Sequence, residues 1–146
     1  MPFDRLLSQK SIQKHQTSKE EINNLFILAE RDINDAAVKS ISDDLRFASA
    51  YNAVLQCGTI IMHCLGYRTS SKAHHYSTFE FLKEALGAKF HETINYFNTC
   101  RSKRNRTVYD IAGQITETEV NTLIKETANF HEFTKNWVTK NYSQYL

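Results

Sequence analysis

Glycine and proline are nearly missing from this chain. Its 146 residues include four glycines and one proline, about 3% where an ordinary globular protein carries roughly 12%. A sheet protein with many strands needs those residues at its turns, so their scarcity points instead to long helices and short loops. Cysteine is also sparse. Cys57, Cys64 and Cys100 make an odd count with no CxxC pair, and no His/Cys spacing matches a zinc motif. The spacing therefore names no metal ligands, and nothing in the chain calls for a cofactor. Cys57 and Cys64 lie seven positions apart on one predicted helix, about 10 Å along its axis, too far for a disulfide. The opening stretch "MPFDRLLSQK" lacks the apolar centre of an export signal. A reduced, cytoplasmic protein with buried thiols is the expectation.

Against those absences stand nine Phe, seven Tyr and one Trp, with 41% hydrophobic residues, which exclude a disordered chain. The length suits one domain with a single core. Net charge is +2, too small to argue for nucleic acid from bulk electrostatics. Its distribution says more. Residues 93–109 carry four positive and no negative side chains, so the remainder sums to −2.

Residues 1–17 are polar and lack a sustained period, and are read as an N-terminal arm, either mobile or a short docking helix. The domain proper is placed at 18–146. "SKEE" at 18–21 has the capping-box form, with Ser18 as N-cap and Glu21 reaching back, and opens a helix over 19–39. Ser42 caps a second helix that Gly66 stops. From Phe47 to Tyr67 it holds no Asp, Glu, Lys or Arg, long enough for a membrane span. Asn52, Gln56, Thr59 and His63 argue against that, and apolar residues around the whole circumference fit a central buried helix. Ser77 and Glu80 suggest a box opening a third helix, with Gly87 as its stop. A fourth helix runs from near Ala88 toward Gly113, and "TETE" at 116–119 opens a fifth. The fold class expected is all-α, an up-and-down bundle of about five helices.

The segment "NTCRSKRNRTVYD" at 98–110 concentrates the charge. Arg101 and Arg104 continue the apolar stripe of Ile94, Phe97 and Val108 rather than pointing away from it. Arginines on such a stripe need partners: a carboxylate such as Asp110, Asp43 or Asp44, a second subunit, or a phosphate, which the guanidinium fork can grip in two places.

"RSKRNRTVYD" resembles the signature helix of HEPN domains, helical domains of prokaryotic toxin–antitoxin, defence and RNA-processing systems. "RFASAYNAVLQCGTIIMHCLGYR" at 46–68 and "HHYSTFEFL" at 74–82 resemble the second and third helices of one bacterial branch. The resemblance spans roughly residues 18–140. It implies a homodimer whose signature helices face each other across a two-fold axis, forming a basic cleft that in active members is a metal-independent endoribonuclease. Carried over, Arg104 is the motif arginine and Asn105 the polar residue after it, with Arg101, Lys103 and Arg106 as neighbouring phosphate contacts. Tyr109 falls where the family has its catalytic histidine. A phenol with a pKa near 10 is a poor base at neutral pH, so His74 or His75, in the loop before the third helix, is an accessory candidate for that role. The resemblance implies RNA as ligand and an antitoxin or nucleotidyltransferase-type protein as partner. The competing expectation is a non-catalytic module whose cleft holds a nucleotide or partner segment.

Overall fold

The computed structural model describes residues 3–70 and 74–146, with the side chains of His74, Val108 and Tyr109 outside what it describes. Among the described residues six helices dominate. In chain order they are α1 (Asp4–Ser8), α2 (Lys19–Ala36), α3 (Asp43–Cys64), α4 (His74–Leu86), α5 (His91–Tyr109) and α6 (Glu117–Asn141). Two three-residue strands, β1 (Ile12–Lys14) and β2 (Tyr67–Thr69), pair antiparallel with Ile12 opposite Thr69 and Lys14 opposite Tyr67. The all-α expectation holds, with one small ribbon added.

α3 is the centre, packing against α2, α4, α5 and α6. Buried residues circle it: Phe47, Ala50, Tyr51, Val54, Cys57, Ile60, Ile61 and Met62. That is why its charge-free run reads as a core helix. Among the described residues no helix is long and apolar enough to cross a membrane. Gly58 lets α4 approach closely: a Cβ there would lie 2.8 Å from Leu82 Cδ1 and 3.2 Å from Thr78 Cγ2. Gly66, at φ +95°, turns the chain out of α3 in the left-handed region that glycine tolerates. Its carbonyl then accepts the His15 amide at 2.8 Å.

The N-terminal segment belongs to the packed structure. Leu6 and Ile12 are 2% exposed in the main core, Phe3 stacks on Phe81 with centroids 4.4 Å apart, and Arg5 reaches Glu84 at 2.9 Å. Periodicity could not reveal it, because five helical residues and three strand residues are too short to show a period. A second, smaller cluster joins Ile22, Phe26, Ile60, Cys64 and Val138 under Trp137 and Tyr142.

Helix starts divide instructively. Ser42 accepts the Leu45 amide at 3.1 Å, and Thr116 and Glu119 form the complete reciprocal box. At α2 only half the box forms. Ser18 accepts the Glu21 amide at 3.1 Å, but the Glu21 carboxylate is turned elsewhere. The third expected box does not form, because α4 begins at His74 and leaves Ser77 buried inside the helix. The fourth expected helix is preceded by a 3₁₀ turn over Ala88–Phe90, and it ends at Tyr109 rather than at Gly113.

Candidate functional site

α5 enters the core through Ile94 and Phe97, both fully buried. One and two turns further on, the same face carries Arg101 and Arg104, which are half-buried. Each lies against a tyrosine. The Arg104 guanidinium carbon is 5.7 Å from the Tyr51 ring centroid, and its Nη1 donates to Asn105 Oδ1 at 3.1 Å. Arg101 lies 5.7 Å over the exposed ring of Tyr76, and its Nε donates to Asn98 Oδ1 at 2.9 Å. A planar cation over an aromatic face is held by the ring's negative face while its N–H groups point to in-plane acceptors.

Two of the three acids expected as partners are engaged elsewhere. Asp43 lies 3.6 Å from Arg46, whose Nε also donates to the Ala36 carbonyl, and Asp44 accepts the Gly113 amide at 2.8 Å. Asp110 is exposed, and among the described residues no carboxylate pairs with Arg101. The rest of the cluster points outward. Lys103 pairs with Glu119 across α6, and that hydrogen bond, with the Thr116 backbone, holds the Glu119 carboxyl below its ordinary value. Arg106 is exposed.

His75 joins Arg104 at Tyr51. The Tyr51 hydroxyl lies 3.1 Å from His75 Nδ1, with the rings 5.8 Å apart. Burial pushes the Tyr51 phenol above its ordinary value, opposed by the charges of Arg104 and Arg101. The phenol therefore keeps its proton at neutral pH, and donates it when His75 Nδ1 is the unprotonated nitrogen. A fixed guanidinium, a neutral phenol and an imidazole thus converge from α5, α3 and α4. His74 and Tyr109, the other residues singled out for this cleft, have side chains outside those described.

No family model, no curated protein and no solved structure matches this chain.

The residues themselves supply whatever chemistry the site has. The thiols contribute none: burial pushes Cys57 and Cys64 up to about 12 and Cys100 to about 11, so all three stay protonated. Tyr51, Tyr76 and Asn98 were invisible as site residues in the sequence. A tyrosine inside an apolar helix looks like any core aromatic until its neighbours are known.

A second polar cluster sits at the other end of α3. His63 is twelve residues beyond Tyr51, about 18 Å along the helix. Its Nδ1 lies 2.9 Å from Glu21 Oε1 on α2, and His15 Nε2 reaches the same oxygen at 2.7 Å. The Thr17 hydroxyl donates to it as well, at 2.7 Å. This is where the Glu21 side chain goes instead of closing its capping box. The residues are 6 and 42 positions apart in sequence, a spacing that matches no motif.

Proposed function

We propose that this chain is an HEPN-like, RNA-binding protein of a prokaryotic toxin–antitoxin or defence system, cytoplasmic and homodimeric, and that its α5 cleft cleaves RNA without a metal. The observation that carries this reading is the meeting of Arg104 and His75 on one buried phenol. RNA cleavage of this type needs a base for the ribose 2′-hydroxyl and a fixed cation for charge gathering on the phosphate. Arg104 supplies the cation on a rigid ring. His75 is of the residue type that titrates near neutral pH, and takes the role that the sequence leaves open at Tyr109. In the tautomer whose Nδ1–H donates to the Tyr51 oxygen, the 2′-oxygen attacks the adjacent phosphorus and loses its proton to His75 Nε2; the P–O5′ bond breaks to leave a 2′,3′-cyclic phosphate, and the leaving 5′-oxygen becomes a hydroxyl by taking a proton from water, to which His75 returns the one it took. Arg101, Asn105 and the exposed Lys103 and Arg106 line the approach of the backbone. A second copy, facing across α5, would double the positive surface.

The second reading is a non-catalytic module that holds a nucleotide or an antitoxin or nucleotidyltransferase-type partner. Tyr109 at the position of the family's histidine is the feature favouring it. Labelled RNA incubated in EDTA with wild type, Arg104→Ala, His75→Ala and Tyr109→His separates the two. The expected result is cleavage by wild type, reduced at least about a hundredfold in both alanine variants, with native dichroism retained. Cleavage by Tyr109→His alone would favour the scaffold reading, and cleavage unchanged by Arg104→Ala would remove the cleft from the reaction.

A further inference from the structure

We infer that His15, Glu21 and His63 form a binding site for one divalent transition-metal ion of the zinc class, which pins the N-terminal ribbon to α2 and α3. One ring nitrogen each of His15 and His63 and a Glu21 carboxylate oxygen all lie within 4.8 Å of one another. Two imidazoles and one carboxylate are a donor set suited to zinc, and three protein donors leave a fourth position for water.

Three observations mark the cluster as more than a hydrogen-bonded pair. The first is crowding. Thr17, His15 and His63 all converge on the single oxygen Oε1 at 2.7, 2.7 and 2.9 Å, three groups for two lone pairs. The second is that His63 Nδ1, shielded from solvent, has no hydrogen bond of acceptable geometry among the described residues despite its short distance to Glu21. A buried ring nitrogen in that state costs free energy, and a cation among the three atoms would give it a partner. The third is ring placement. The two imidazoles are 4.5 Å apart and tilted by 49°, arriving from different directions as converging ligands must.

The adjustment needed is small. Donor atoms on a tetrahedral zinc ion lie about 3.3–3.4 Å apart, given bonds near 2.0–2.1 Å, so each nitrogen retreats from Oε1 by about half an ångström. Thr17 then serves as the group that orients the carboxylate from behind. The nearby Arg68 charge works against a cation.

The site stands apart from the α5 cleft, so its test does not depend on RNA. Full-length protein stripped with chelator is titrated with Zn²⁺ by calorimetry at pH 7.5, and with Co²⁺ by visible absorption. The expected result is one ion per chain, with d–d bands of tetrahedral intensity for cobalt and a thermal midpoint raised by several degrees at saturating zinc. His15→Ala, Glu21→Gln and His63→Ala should each weaken binding at least tenfold, while His91→Ala leaves it unchanged. Dichroism of the metal-free variants checks their folding. Zinc binding undiminished in both His15→Ala and Glu21→Gln, or no binding by wild type at 100-micromolar-scale zinc, would overturn the site.

Discussion

At Tyr51 a single side chain does two jobs that pull in different directions. Its ring is fully buried and helps fill the core, while its hydroxyl reaches His75 and its face carries Arg104. The arginines of this site were legible in the sequence, because helical spacing set them on the apolar stripe. The tyrosine beneath them was not, since nothing in its neighbourhood along the chain distinguishes it from Phe47. His75 lay between: the chain marked it as a histidine near a helix start, and only packing brought it to Arg104's ring. His131 illustrates a residue whose consequence is stability. It sits against Phe26 with Glu30 at 3.8 Å, and burial lowers its pKa, with Glu30 and Glu132 opposing and Lys135 reinforcing. A histidine whose folded pKa is depressed contributes nothing unfavourable above its ordinary value of 6.5, and stability falls as pH drops from there through the folded pKa. Urea midpoints should therefore fall between pH 7 and pH 5, and His131→Gln should reduce that fall; an equal slope in the variant would contradict it.

At the level of elements, the α3–α4 contact decides where His75 stands. Gly58 permits it, and alanine there would meet Leu82 and Thr78, both buried. Alanine gains about 1 kcal/mol of helix propensity over glycine, but overpacking a filled interior costs about 1–3 kcal/mol. Leu82 is fully enclosed and cannot swing aside, so the clash wins. Gly58→Ala should lose on the order of 1 kcal/mol in chemical denaturation, and RNA cleavage should fall with it if α4 is displaced. Helix starts were the most readable part of the fold where the cap residues had no competing partner, as at Thr116. They misled where a side chain had better company. Glu21 was claimed by two histidines, and Ser77 by the core, and neither partner is adjacent in sequence.

For the whole molecule, charge and assembly are the testable quantities. The helical class followed from missing turn residues and held, but the ribbon escaped notice because six strand residues separated by two helices leave no local pattern. RNA binding through the exposed Arg106 should add about one counterion to the salt dependence, so Arg106→Ala should shallow the slope of log K against log salt by about one. The same protein should run in light scattering at twice its 16.9 kDa chain mass. A monomer at micromolar concentration, with an unchanged slope, would count against a paired basic cleft.

The pairing of Ile12 with Thr69 joins points 57 residues apart, enclosing α2 and α3 in one loop. Closing so long a loop costs chain entropy that local helix formation does not, so the ribbon belongs late in folding, after α3 has gathered its partners. It should also be among the first parts to open. His15 follows directly on β1, and Leu6 and Ile12 belong to the main core, so opening the ribbon uncovers that core on its N-terminal side.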